Sequence, residues 1–338
     1  MSHNAASEPE PDPVPTAENW WVFRGPADLP PPPSWRGISG SPGTPAAQEY
    51  LLSREDVAVV NTALHLRRPL LVTGRPGTGK SSLAHAVAKD LGLGEVLRWP
   101  VNSRSTLQDA LCRYDAVGRL REVSLERERR SARGASGKLK YRARGRHSDI
   151  GDFLRLGPLG TALAARGRPR VLLIDELDKA DIDLPNDLLV VLEEAQFEIP
   201  ELARLPEGQQ NVEVLVTGDR ERVPVSRGTV TCENFPIVVM TSNGERDFPP
   251  AFLRRCVRLD LQDPGEEKLR NIVRLHLGDE ALAGAEDLVQ DFLQRAATQT
   301  LATDQLLAAV HLRFTGADLS REQLISTVMR RLDEAFPA

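Results

Sequence analysis

Cysteine is scarce in this chain and scattered. Cys112, Cys232 and Cys256 are the only three, and no pair has Cys-x-x-Cys spacing. That excludes a disulfide framework, fits a reducing compartment and argues against a zinc site. Long hydrophobic runs are missing too: none approaches the roughly 20 apolar residues needed to span a bilayer. Positive charge is not in excess, with 43 Lys and Arg against 48 Asp and Glu and a formal net charge of -5. A generally basic nucleic-acid binder is thereby disfavoured, although a local patch remains open. The N-terminus is polar and acidic rather than basic and then apolar, so no secretory leader is expected and the chain reads as cytoplasmic. What is present is ordinary for a globular protein, 41% hydrophobic and 27% charged. The 338 residues allow two domains and a tail.

Three segments are expected. Residues 1–47 are proline-rich, with Pro30-Pro31-Pro32-Pro33 and little periodicity. Trp20, Trp21 and Trp35 also lie here, and a disordered tail seldom spends tryptophan. Trp20-Trp21-Val22-Phe23-Arg24-Gly25 and Pro33-Ser34-Trp35-Arg36 look like anchors for the chain's own core, a neighbouring copy or another protein. Residues 48–263 alternate strand and helix patterns. The candidate strands are 70–73, 96–101, 171–174 and 237–241, and the candidate helices are 54–67, 81–91, 107–111, 159–166 and 184–195. Such alternation implies an α/β fold, a parallel sheet with helices on both faces. Residues 264–338 show only helical patterns, at 266–277, 285–299, 304–311 and 321–336. They read as a small C-terminal all-α domain.

Two stretches interrupt the alternation. Residues 119–147 hold eleven Arg or Lys against three Glu, with Gly134, Gly137 and Gly145 suggesting a hairpin or mobile loop. This is either a solvated face or a contact for an acidic partner or a nucleic-acid backbone. Tyr141 stands alone as an aromatic, which favours protein over base stacking. Residues 210–232, with Val212, Val214 and Val216 at every second position and Val223, Val225 and Val230 further on, have the alternating look of a hairpin.

The most informative motif is Gly74-Arg75-Pro76-Gly77-Thr78-Gly79-Lys80-Ser81, which fits the phosphate-binding loop G-x-x-x-x-G-K-[ST]. An apolar strand precedes it and a helical run from Ser82 follows, which is the context the motif needs. Glycines let backbone N–H groups curl round a phosphate, and the helix N-terminus adds positive potential. The nucleotide-binding set is Gly74, Arg75, Pro76, Gly77, Thr78, Gly79, Lys80, Ser81 and Ser82. Lys80 is placed for the β- and γ-phosphates and Ser81 for Mg²⁺.

Val171-Leu172-Leu173-Ile174-Asp175-Glu176 is an apolar strand ending in two carboxylates, about 95 residues beyond Lys80. Expected beside the loop, it would bring Asp175 to the metal and Glu176 to the attacking water as general base. Pro236 to Asn243 is a further apolar strand. Asn243 either orients that water or, before Gly244, simply ends the strand in a turn. Arg254 and Arg255 follow a Pro249-Pro250 break and are either a surface pair or a source of transition-state charge.

Loop, Asp-Glu strand, Asn-ended strand and arginine pair, in this order, resemble an AAA+ ATPase from about Tyr50 to the C-terminus. Within that superfamily the chain looks like the MoxR-like branch. Asp175-Glu176-Leu177-Asp178-Lys179-Ala180 is similar to D-E-I-N-R-A, and Leu156-Gly157-Pro158-Leu159 to the G-P-L segment before it. Met240-Thr241-Ser242-Asn243 resembles the A-T-x-N sensor. Ala251 to Cys256 stands where the group has A-x-L-D-R-F, which makes Arg255 the arginine finger and Arg254 the second choice. The resemblance implies ATP and Mg²⁺ as cofactors, a helical lid, a ring of copies, most simply a hexamer, and a protein client. It also implies that 119–147 and 210–232 are insertions facing pore or substrate. A similar N-terminal extension accompanies MoxR-like proteins that work beside von Willebrand A proteins. One departure is plain: the lid segment Leu301-Ala302-Thr303-Asp304-Gln305 carries no sensor arginine, and Arg313 lies about two turns on.

The expectation is a Mg·ATP-dependent remodelling or maturation chaperone with Glu176, Asn243 and Arg255 as catalytic residues and Ser81 and Asp175 on the metal. Two rivals stand: a nucleic-acid-stimulated motor of a restriction system, similar to McrB-like GTPases, and a nucleotide-gated scaffold with slow hydrolysis. A metabolite kinase is more distant. No membrane partner is expected.

Overall fold

The structure is a computed structural model that describes residues 20, 22–23, 28–30, 32–33, 50–134, 149–218, 221–299, 301–317 and 319–329. It divides into two compact units, Ala47–Pro264 and Gly265–Ala338 with Met1–Ala46. Among the described residues no helix is long and apolar enough to cross a membrane.

The larger unit holds strands β1 (Leu70–Thr73), β2 (Leu97–Pro100), β3 (Cys112–Tyr114), β4 (Leu154–Leu156), β5 (Val171–Asp175), β6 (Gln196–Glu198), β7 (Asn211–Leu215), β8 (Arg222–Ser226), β9 (Thr229–Thr231), β10 (Ile237–Ser242) and β11 (Val257–Asp260). Its helices are α1 (Arg54–Leu66), α2 (Lys80–Asp90), α3 (Leu107–Leu111), α4 (Ala116–Gly134), α5 (Pro158–Leu163), α6 (Leu184–Glu194), α7 (Pro200–Ala203) and α8 (Pro250–Leu253). Five strands form a parallel sheet in the order β11-β1-β10-β5-β2. Every residue of β5 and of β10 is buried, as a parallel strand covered on both faces requires. Successive side chains serve opposite faces. Leu71, Leu172, Ile174, Val238 and Met240 join one core, and Leu70, Val72, Val171, Leu173, Ile237 and Val239 join the other.

β5, which ends in Asp175, is one strand removed from the P-loop strand, because β10 pairs with both β1 and β5 and lies between them. β11, missed in the sequence, closes the far edge with Leu70 opposite Val257. Its alternating Val257-Arg258-Leu259-Asp260 is a short edge pattern with two charges, too weak a signal in isolation.

The smaller strands form a second sheet in the order β3-β4-β7-β8-β9-β6. β7 and β8 pair antiparallel with Val212 opposite Val225. The β8–β9 turn places Arg227 and Gly228 both at positive φ, 55° and 74°, as a tight two-residue hairpin turn needs. One correction concerns 119–147. The chain there is not a hairpin or loop from its start, since α4 continues to Gly134, with Val117 and Leu120 exposed on it. Glutamates and arginines are good helix formers, and their propensity holds where no packing directs the chain otherwise. The remainder, 135–148, lies outside the described residues.

The second unit packs α9 (Glu266–Leu277), α10 (Asp279–Ala283), α11 (Glu286–Ala296), α12 (Thr303–Phe314) and α13 (Arg321–Thr327) round a core that includes Val273, Leu288, Phe292, Leu306, Val310 and Leu324. α13 stops at Thr327 rather than running on towards Phe336, and residues 330–338 lie outside the described residues. Of the expected N-terminal anchors, Trp20 is half-buried and Phe23 is 81% exposed, whereas Trp21 and Trp35 lie outside the described residues.

At one position of α5 close packing leaves no room for a side chain. A Cβ on Gly160 would sit 2.0 Å from the Leu111 carbonyl oxygen, so the α3–β3 junction touches bare backbone there. Glycine to alanine in a free helix gains about 1 kcal/mol. Here the collision with backbone reverses the sign, and Gly160→Ala is expected to destabilise the larger unit by about 1–3 kcal/mol. Thermal unfolding checks this, at about 2–4 °C per kcal/mol for a unit of this size. An unchanged or raised midpoint would show that the α5 contact yields.

Candidate functional site

The site is built at the carboxyl ends of β1, β5 and β10. Between β1 and α2 the loop turns on three glycines at positive φ: Gly74 at 148°, Gly77 at 81° and Gly79 at 86°. A Cβ on Gly74 would lie 2.6 Å from the Leu261 carbonyl oxygen, so space as well as backbone conformation demands glycine there. Lys80 opens α2 and is buried. Its ammonium donates to the carbonyl oxygens of Gly74 at 2.7 Å and Arg75 at 2.8 Å, folding the side chain back over the loop. Burial pushes the Lys80 ammonium below its ordinary pKa, while Asp178, Asp175 and Glu176 pull it the other way. Thr78 donates to the Arg75 carbonyl at 2.9 Å, and Arg75 pairs with Asp263 at 3.0 Å.

Asp175 sits at the centre, 5% exposed. Its Oδ1 accepts from the Ser81 hydroxyl at 2.7 Å and the Thr241 hydroxyl at 2.8 Å. Its Oδ2 accepts from Arg98 through Nε at 3.2 Å and Nη2 at 2.6 Å. Burial pushes this carboxyl up, but the bonds from Ser81, Arg98 and Thr241, with the charge of Arg98, outweigh it and hold the pKa below the usual aspartate value. The structure therefore brings together Lys80, Ser81 and Asp175. A serine hydroxyl against a buried, ionised carboxylate is a hard oxygen donor pair of the kind Mg²⁺ takes.

Glu176 follows at φ 60° and ψ 48°, the left-handed region. Such a conformation in a non-glycine residue is strained and is held only by its surroundings. The Thr241 hydroxyl accepts from the Glu176 N–H at 2.9 Å, and the carboxylate pairs with Lys179 at 2.9 Å. Asn243 lies just past β10, with its backbone N–H held by Asp178 Oδ2 at 2.9 Å. The same oxygen accepts from the Glu245 N–H at 3.1 Å. Arg255 stands apart from these groups, ion-paired with Glu193 on α6 and within 3.4 Å of the Ala251 carbonyl. Its neighbour Arg254 is exposed.

Three contributors escape a reading of motifs. Thr241, 1% exposed, binds both Asp175 and Glu176. Asp178 looks like part of a solvated acidic turn but is 2% exposed and holds the β10 loop. Arg98 lies on an edge strand with alternating burial, where an outward arginine carries no signal of its partner. Thr241 and Asp178 were within reach, since each falls inside a quoted motif, the Asn-ended strand and the Asp-Glu segment.

Taken together, these groups make a P-loop nucleotide site on a five-stranded parallel sheet. Residues 69–256 match the family model of the AAA domain (dynein-related subfamily), and the chain belongs to that family. Among solved structures, a proline-to-glycine mutant of RuvB from Thermotoga maritima is similar at 14% identity, with 83% of this chain and 71% of that chain covered and a TM-score of 0.40. No curated protein matches the chain.

Replacing Thr241 by valine keeps its shape and removes the hydroxyl. The Glu176 N–H then loses its acceptor and Asp175 one donor. A loss of about 1–3 kcal/mol in unfolding free energy is expected, measured by denaturant titration. Thr241→Ser should restore most of it. Equal stability of the valine and wild-type proteins would show that the hydroxyl is dispensable.

Proposed function

We propose that the chain hydrolyses Mg·ATP and, as a ring of copies, remodels a protein client in the manner of MoxR-like AAA+ proteins. The observation that carries this is the meeting of Lys80, Ser81, Asp175 and Thr241 at the ends of three adjacent strands. In the reaction Lys80 leaves the loop carbonyls for the β- and γ-phosphates. Ser81 and Asp175 hold Mg²⁺, which when bound neutralises developing phosphate charge. Thr241 and Arg98 keep Asp175 ionised and aimed. Glu176 gives up Lys179 and accepts a proton from the attacking water, which Asn243 orients. Gly77, Thr78, Gly79 and Ser82 complete the phosphate cradle, with Pro76 stiffening it. Arg255 of a neighbouring copy supplies transition-state charge, with Arg254 as the second choice. An acidic net charge favours a protein client over a nucleic acid. The client itself, including a von Willebrand A protein, belongs to this reading alone.

A nucleotide-gated scaffold with slow hydrolysis is the second reading. It is favoured by Arg313, whose guanidinium donates to Asp287 at 2.5 Å within the helical unit rather than serving as a spare cation.

Glu176→Gln should bind nucleotide and stall. Light scattering of that variant with Mg·ATP is expected to give about six times the protomer mass; a protomer mass alone would overturn self-assembly. Arg255→Ala should lower turnover by about three to five decades while leaving nucleotide binding intact, the scale of a lost arginine finger. Turnover within tenfold of wild type would remove Arg255 from that role.

A further inference from the structure

A second concavity on the α/β unit borders the nucleotide site through Arg98. It is a cleft of about 420 Å³ whose wall carries Arg98, Arg104, Arg113 and Arg155, together with the carboxylate of Asp109. The arginines come from separate pieces of chain. Arg98 is on β2, Arg104 in the turn after it, Arg113 on β3 and Arg155 on β4. The Arg104 backbone is fixed by the Asn102 side chain at 2.9 Å, so its position is not that of a free loop tip.

β3 and β4 are three-residue strands, and Arg113 is directly opposite Arg155 in their antiparallel register. Like charges directly opposed across a strand pair are destabilising. Packing does not call for them, because the buried side chains of the pair are Cys112, Leu154 and Leu156. Among the described residues, one carboxylate answers their charge. Arg113 is 3.6 Å from Asp109, and Arg155 meets the Val216 carbonyl at 3.3 Å. Two exposed arginines thus leave the sheet from facing positions at a cost that a bound anion would offset.

The shape and chemistry of the cleft select among anions. Trp99, the aromatic in its wall, is 6% exposed and offers no face for a base to stack on. At about 420 Å³ the cleft has room for a few side chains. We propose that it binds an acidic segment of a partner polypeptide, with Arg113 and Arg155 clamping one carboxylate between them and Arg104 meeting a second.

The test uses the full chain without nucleotide and a fluorescein-labelled octaglutamate peptide, read by anisotropy at low and physiological salt. Its failure therefore leaves the hydrolase reading untouched. Arg98 is kept because it holds Asp175. Arg113→Gln with Arg155→Gln is expected to weaken peptide binding at least tenfold, to leave Mg·ATP binding unchanged and to leave the unfolding midpoint equal or higher, since the opposed charges are gone. Arg104→Gln alone should weaken binding about threefold. Equal peptide affinity in wild type and double variant overturns the proposal and places the peptide elsewhere, for instance on 119–147. A labelled oligothymidylate that binds more tightly than the peptide, and is lost with the same double substitution, overturns the polypeptide assignment. Should the double glutamine variant fail to fold, Arg113→Lys with Arg155→Lys keeps the charge and removes the bidentate forks. That variant is expected to bind several-fold more weakly, and unchanged affinity there overturns the clamp.

Discussion

A carboxylate taken almost wholly out of water is the constraint on which the site rests. Asp175 ends a strand whose four preceding side chains are fully buried. An ionised group there is costly unless donors surround it. Ser81, Thr241 and Arg98 are those donors, and each arrives from a different element: the P-loop helix, the neighbouring strand and the edge strand. Satisfying one charge therefore fixes the relative positions of β2, β5, β10 and α2. The P-loop inherits that order, since Ser81 follows Lys80 directly.

The same logic explains why β10 has two duties. As a central strand it must be apolar on both faces, and Val238, Val239 and Met240 meet that need. At its carboxyl end it turns polar, and Thr241 supplies one hydroxyl that accepts from the Glu176 N–H and donates to Asp175. The strain in Glu176 is held by this bond together with the pairing to Lys179.

The sequence made legible whatever has strong local chemistry. The glycines at 74, 77 and 79, the apolar runs of β1, β5 and β10 and the helical periodicity from 266 onward all lie in short windows with distinct patterns. Strand order was not legible, because β1 and β10 are distant in the chain and no local pattern records that pairing. Beyond the hairpin at 210–232, the second sheet escaped notice since its strands β3, β4 and β6 are three residues long and alternate in exposure. Arg98 and Asp178 were missed for the same reason. A surface arginine on an edge strand looks solvated, and an aspartate in an acidic turn looks solvated too. Only the packing shows that one serves a buried partner and the other is itself buried.

Asp178 also bears on how the site moves. One oxygen of this buried side chain gathers the N–H groups of Asn243 and Glu245, and so laces the turn after β5 to the turn after β10. The Arg246 guanidinium adds a second tie, donating to the Ala180 carbonyl at 3.0 Å. Asn243 cannot drift away from the turn after β5 without its N–H giving up the Asp178 carboxylate. Three bonds between two short turns make that end of the sheet one stiff piece, in which a change at either turn is felt at the other.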